Sequence, residues 1–367
     1  MEQDHWLLLQ QQYRKFGLVL CLGAGVSMDS GLPGWTELLE NAAERFLSRE
    51  DKEALLALPT SDNDARRASG TPLVDGLTAI GFSLPAIASL VEKKASAESP
   101  GKGREAFLTN LTDGLYHGLY ARFTGLSAGD QTAERRLADC VRAENPTLAA
   151  VAAMVVVKDG PGFRPNPKVP AIINLNLDGV FRTYCRTVYG GPDNPLFRTI
   201  ERASKDVRHG LTRYYHPHGF FPLRQGSDHS RDLVVFTEQD YFDFFNQPTG
   251  LFTYTMLSLL REYPVLFVGL SFRDDNLRRL LHYSYKERES HYRRDPGYKP
   301  RKREAKTVRH FAILPDRGRA LAALVEASLL ALGVQPLFVE EFKLLPNRLK
   351  EVYGEGWDSV YSPQALT

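Results

Sequence analysis

Seven short runs rich in β-branched and aromatic residues punctuate the chain: GLVLCL (17–22), VPAIINL (169–175), TRYYHPH (212–218), DLVVF (232–236), PVLFVGL (264–270), VRHFAIL (308–314) and QPLFVEE (335–341). Stretches such as AII and VLFV are apolar at successive rather than alternate positions. That is the pattern of strands buried on both faces, as in a parallel sheet covered by helices. Between the first two runs the spacing turns helical: KEALLAL, LPAIASLVEKKA, REAFLTNLTDGLYHGLY and TLAAVAAMVVV favour helix by composition, and Pro146 separates two helical pieces. The expected architecture is α/β, a doubly wound, mostly parallel Rossmann-like sheet with a large helical insertion. Residues 1–39 and 161–367 would form the sheet domain and 40–160 the insertion, which ends at the turn-rich DGPGFRPNP. A last helical piece is expected about KLLPNRLKEVYG.

Bulk composition narrows the function little. The 367 residues are 43% hydrophobic and 25% charged, and the formal net charge is +2, so nothing global draws the chain to nucleic acid or a membrane. Direct nucleic-acid binding is not expected, although residues 286–306 carry nine basic and four acidic side chains around Pro296, Gly297 and Pro300 and read as an exposed connection. No stretch reaches the roughly twenty apolar residues of a membrane span. The acidic start MEQDHW lacks the basic-then-apolar order of a secretory signal, so the expectation is a cytoplasmic protein without membrane contact. The three cysteines, Cys21, Cys140 and Cys185, form no CxxC pair, which speaks against a disulfide framework and a zinc ribbon. Cys21 falls inside an apolar run and reads as core.

The chemistry concentrates at the carboxyl ends of the predicted strands, where ligands of such sheets bind. After the first strand comes Gly23-Ala24-Gly25-Val26-Ser27, then a second turn at Ser30-Gly31-Leu32-Pro33, then a helix beginning near Trp35. Glycines let backbone approach a pyrophosphate, and a helix N-terminus offers free N–H groups, so the order fits a phosphate cradle. The same glycines would also serve a tight turn and nothing more. A dinucleotide fingerprint further asks for an acid at the end of the next strand; the acids at that distance, Glu40 and Glu44, lie in the helical LLENAAERFL, which disfavours an ordinary dehydrogenase. Asn174, Asn176 and Asp178 close the second run, with helix capping as the plainer role for Asp178. His216 and His218 close the third; Gly219 leaves room beside His218, a natural general base, whereas His216 suits the sheet interior. Gly269 and Ser271 close the fifth, followed by Asp274 and Asp275, of which at least one is expected to cap the next helix.

Taken in order, these four segments resemble the sirtuin family. GAGVSMDSGLP is similar to its GAGxSxxSGxP loop, Asn176-Leu177-Asp178 to its N-I-D segment, His218-Gly219 to its H-G, and Gly269-Leu270-Ser271 to its G-[ST]-S turn. VVFTEQDYFDFF and LFVGLSFRDDNLRRLL look like the bacterial sirtuin-like antiphage branch. Two departures separate the chain from the protein deacylases: three scattered cysteines cannot build their four-cysteine zinc ribbon, and Pro33 is followed by Gly34-Trp35-Thr36 rather than Asp-Phe-Arg.

The resemblance implies an NAD+ hydrolase that cuts the bond between nicotinamide and ribose without a metal. It implies Asn176 to position the ribose hydroxyls and water, Asp178 to support the nicotinamide side, and His218 as the base. Gly23, Ala24, Gly25 and Ser27 would hold the pyrophosphate, with Gly31, Pro33 and Trp35 completing the cofactor loop and Gly269 and Ser271 toward the adenosine. NAD-depleting effectors of this branch must be gated, which implies a homo-oligomer and a controlling partner, a HerA-type ATPase in preference to a short Argonaute. The rival reading is a non-catalytic module that binds a nucleotide or an ADP-ribose-type signal and regulates a partner.

Overall fold

A computed structural model describes residues 2–58, 70–122, 131–190, 196–200, 210–223, 234–245, 251–272, 274–293 and 309–361. Its strands in chain order are β1 (Val19–Leu22), β2 (Val156–Asp159), β3 (Gly162–Pro165), β4 (Ala171–Asn174), β5 (Phe197–Ile200), β6 (Thr212–Tyr215), β7 (Val265–Val268), β8 (His310–Pro315) and β9 (Val334–Val339). Seven of them form one sheet in the order β5-β6-β4-β1-β7-β8-β9, every neighbouring pair parallel. This is the α/β, Rossmann-like sheet that the apolar runs predict. The three central strands, β4, β1 and β7, are buried at all their positions.

Alternation along each strand sends its side chains to two helical layers. Val19, Cys21, Ala171, Ile173, Val265 and Phe267 share one core with Leu259 and Leu260 of the helix Leu251–Glu262 and with Leu277 and Leu281 of the helix Asp275–Arg293. Cys21 lies fully inside this core, and burial pushes its thiol pKa far up, so it is inert packing. From β1 the chain crosses to β4 on one side of the sheet, and from β7 it runs to β8 on the other. The loops after β1 and β7 therefore meet at the topological switch point, where open α/β sheets bind their ligands.

Contacts divide the chain into two compact units. The first, Met1–Asp29 with Glu134–Pro217 and Thr249–Thr367, holds the sheet and its helices. The second, Ser30–Ala133 with His218–Pro248, is helical: Trp35–Phe46, Arg49–Leu56, Pro72–Ala79, Leu84–Glu98, Gly103–Arg122 and Glu238–Phe245. Glu40 belongs to this helical unit, as its helical spacing predicts. Its carboxylate accepts the backbone N–H groups of Leu73 (2.9 Å) and Val74 (2.8 Å), anchoring the start of the helix Pro72–Ala79.

Some elements differ from the sequence reading. The described part of DLVVF, Val234–Phe236, is buried but outside any strand: Val235 donates to the His218 carbonyl (2.9 Å) and Phe236 to Asp240 Oδ2 (3.1 Å), so its donors are spent locally. TLAAVAAMVVV is helical only to Met154, and the valines that follow, β-branched and poor in helices, enter the β2–β3 hairpin that contains DGPGFRP. The strand β5, FRTI, has no apolar run to announce it because all four residues are half-buried at the sheet edge. Most of the basic 286–306 segment lies outside the described residues; its first residues, to Arg293, finish the helix Asp275–Arg293. Among the described residues no single helix is long and apolar enough to cross a membrane.

Candidate functional site

The glycine loop after β1 is folded onto the loop after β7. Gly25 donates its N–H to the Gly269 carbonyl (2.9 Å), and Gly23 donates to the Val268 carbonyl (2.9 Å). A methyl group on Gly25 would lie 2.8 Å from Gly269 Cα; one on Gly269 would lie 2.5 Å from the Val26 nitrogen, and Gly269 also sits at φ +71°. These glycines are therefore required by backbone-on-backbone packing and, at Gly269, by a left-handed conformation. Ala24–Val26 forms a single 3₁₀ turn rather than the start of an α-helix, and the N–H groups of Val26 and Ser27 close that turn on Gly23 and Ala24. Along Gly23 to Ser27, then, four of the N–H groups the sequence offered to a pyrophosphate are already engaged within the loops, those of Gly23, Gly25, Val26 and Ser27.

The loop after β4 is tied to the same place. Leu175 donates its N–H to the Leu22 carbonyl at the end of β1 (2.9 Å), and Ser27 Oγ donates to Asp178 Oδ1 (3.1 Å). Asp178 Oδ1 also accepts the Val180 N–H (3.0 Å) at the start of the helix Val180–Tyr189, whose N-cap is Gly179, so the carboxylate holds the helix start from just outside the cap as well as the glycine loop. Burial raises the Asp178 pKa to about 6 against the pull of these hydrogen bonds. Asn174 donates through Nδ2 to the Tyr214 hydroxyl (2.7 Å) and accepts the Asn176 N–H through Oδ1 (3.1 Å). The Asn176 amide oxygen is left over: the residue is 5% exposed, and Oδ1 is buried without a hydrogen-bond donor among the described residues.

Asn145, to which the sequence analysis gave no role, ties into this region. Fully buried, it donates through Nδ2 to the Val26 carbonyl (2.8 Å) and caps the helix Pro146–Met154 by accepting the Leu148 N–H (2.9 Å). The Asn-Pro pair signals the cap; the reach to the glycine loop has no local signature. Beyond β7, Ser271 is exposed and Phe272 takes φ +55°, a costly conformation for an aromatic residue, with its ring against Phe267. Asp274 Oδ1 accepts the N–H groups of Asn276 (2.8 Å) and Leu277 (3.1 Å), the cap expected of this pair.

Of the two histidines, His216 belongs to the sheet unit. It is 1% exposed, its ring meets Tyr214 edge-on at 4.8 Å, and burial lowers its pKa to about 3, so it stays neutral. His218 belongs to the helical unit, where it is 9% exposed and meets the Tyr241 ring at 5.9 Å. Trp35, the first residue of its helix, stacks on the Tyr241 ring at 6.2 Å and lies tilted against Phe236 at 5.3 Å. Its indole N–H is buried with no acceptor among the described residues. Gly31 and Pro33 line an open cavity of about 530 Å³ in the same unit, together with Glu37, Asn41, Asp113 and His117.

Residues 170–332 match the family model described as the SIR2-like domain. Over that segment the match is consistent with a sirtuin-like domain. The matched segment starts at β4, takes in Asn176, Asp178, His218, Gly269 and Ser271, and ends just before β9. Domains of this kind bind NAD+ and are typically NAD-dependent enzymes. No curated protein matches the chain. Among the buried polar atoms without a partner in the described residues are the Asn176 amide oxygen in the sheet unit and the Trp35 indole N–H in the helical unit.

Proposed function

We propose that this chain hydrolyses NAD+ at the bond between nicotinamide and ribose, releasing nicotinamide and ADP-ribose, and that it serves antiphage defence by depleting the dinucleotide. Breaking that bond builds positive charge on the ribose, so a site must orient sugar and water, remove the water's proton and exclude bulk solvent. In this reading Asn176 orients the ribose hydroxyls and the water, Asp178 supports the nicotinamide side, and His218 takes the proton. The glycine loop, Gly31, Pro33 and Trp35 hold the dinucleotide, with Gly269 and Ser271 toward the adenosine.

The observation that carries the reading is Asn176. A buried amide oxygen left without a donor costs roughly 1–3 kcal/mol, and this one, unpaired among the described residues, follows a strand's carboxyl end inside the SIR2-like match. Because uncontrolled loss of NAD+ is lethal, activity is gated in trans, by self-assembly or by a partner protein of the HerA-type ATPase class.

The test follows free nicotinamide after the protein is mixed with NAD+, with no acylated peptide present. Release by the native chain that disappears in Asn176→Ala and His218→Ala supports the proposal. Tight binding of NAD+ without nicotinamide release would replace it with a nucleotide-sensing module, and release only on addition of an acylated peptide would replace it with a deacylase.

A further inference from the structure

One arginine of the helical unit holds the segment VVFTEQDYFDFF, residues 234–245, which in turn contacts His218. Arg104 stands in the first turn of the helix Gly103–Arg122, and its guanidinium is shared among three acceptors. Nη1 donates to Glu92 Oε1 (2.9 Å) on the helix Leu84–Glu98, while Nη2 donates to Asp240 Oδ1 (2.9 Å) and to the Val234 carbonyl (3.2 Å). Both acids are largely withdrawn from water, their side chains 20% and 17% exposed, so these ties are firmer than a surface ion pair. A planar fork of fixed donors meets two carboxylates and a carbonyl at once, a geometry that a lysine ammonium does not reproduce.

Asp240 passes this grip on to the backbone. Its other oxygen, Oδ2, accepts the N–H groups of Phe236 (3.1 Å) and Thr237 (2.9 Å), and Thr237 Oγ1 accepts the Asp240 N–H (3.2 Å), a reciprocal cap at the start of the helix Glu238–Phe245. Arg104 thus fastens the capped turn on both sides, at the Val234 carbonyl before it and at the Asp240 carboxylate after it. From the same turn two contacts reach His218. The Val235 N–H, beside the carbonyl that Arg104 holds, donates to the His218 carbonyl (2.9 Å), and the ring of Tyr241, beside Asp240, meets the imidazole edge-on at 5.9 Å.

We propose that Arg104 is a positioning residue for His218, acting through the turn that sets the histidine's backbone and ring. The inference rests on the reading of His218 as the group that takes the water's proton. The two arms of the guanidinium do separable work: the one on Glu92 staples two helices together, and the one on Asp240 and Val234 fixes the turn. An arginine that served packing alone would make both arms count alike. One that positions His218 makes only the second arm matter to the imidazole.

Carbon–proton correlation spectra of the histidine rings, recorded without NAD+ and with the His218 signal identified by its loss in His218→Asn, read the imidazole apart from turnover. Arg104→Gln should move the His218 signal while those of His216 and His310 in the sheet unit stay in place. Glu92→Gln, which removes the other arm, should leave the His218 signal where it is. In turnover, Arg104→Gln should lower kcat for nicotinamide release about ten- to a hundredfold, the scale of a misplaced reacting group, and Glu92→Gln by less than about twofold. If Arg104→Gln does not fold, Asp240→Asn, which keeps an oxygen for the turn but removes the charge that Arg104 pairs with, makes the same comparison. A His218 signal unmoved by Arg104→Gln, or moved equally by Glu92→Gln, would overturn the inference, as would near-parental kcat in Arg104→Gln. A parent that releases no nicotinamide would instead remove the hydrolase reading and leave the spectra to decide whether Arg104 sets the ring.

Discussion

Asn176 and Asp178 stand two residues apart and respond to replacement in opposite ways. Asn176 leaves a buried oxygen unsatisfied, so Asn176→Ala should leave the melting temperature equal or higher while nicotinamide release falls by at least about a hundredfold, the scale of losing a group that positions reacting atoms. Asp178 titrates near 6 in the folded protein, against about 3.8 when unfolded. The folded state thus binds the proton more tightly. Its contribution is fully present below pH 4 and is lost as pH rises through 6, on the order of 2–3 kcal/mol in all. Asp178→Asn keeps an oxygen for Ser27 and Val180, so thermal unfolding without ligand should show a smaller difference between pH 4.5 and 7.5 than the parent. An unchanged difference would locate the titration elsewhere. Asn145→Ala strips a partner from both the Val26 carbonyl and the Leu148 N–H and should cost about 2–4 kcal/mol in denaturant unfolding. At this scale the sequence was legible where a local rule applies, as at the capping Asp274. Asn145 was not, because its partner lies 119 positions away.

Among the elements, the loops after β1 and β7 behave as one piece. Gly269→Ala meets both a left-handed φ and the Val26 nitrogen at 2.5 Å, so it should destabilise by more than 2 kcal/mol, roughly the sum of the conformational cost and the displaced loop. Gly34→Ala, which meets nothing within 4 Å, is the control and should be near neutral. Glycine spacing announced a tight approach of backbone to something; that the something includes a second loop of the same chain depends on sheet order, which local sequence does not encode. Most of the strands were legible because their burial on both faces leaves continuous apolar runs. The edge strand β5, half-buried throughout, and the β2–β3 hairpin, which follows directly on a helix, lack that signature. Glu40 shows the reverse case, an acid at nearly the dinucleotide distance whose helical spacing pointed to the helix where it lies.

For the molecule as a whole, the parallel sheet places the loops after β1, β4 and β7 side by side at the switch point, and the SIR2-like match falls on the segment that supplies two of them. Within the helical unit His218 stands with the Trp35–Tyr241 ring pair, a grouping that required residues 30–133 and 218–248 to fold together and so could not be read from either stretch alone. The central claim is that Asn176 and His218 act on one bound NAD+. Its most direct test is the rate of free nicotinamide release from NAD+ by the parent, Asn176→Ala and His218→Ala, each checked for native circular dichroism. The account predicts release by the parent alone. Near-parental release by both folded variants would contradict it.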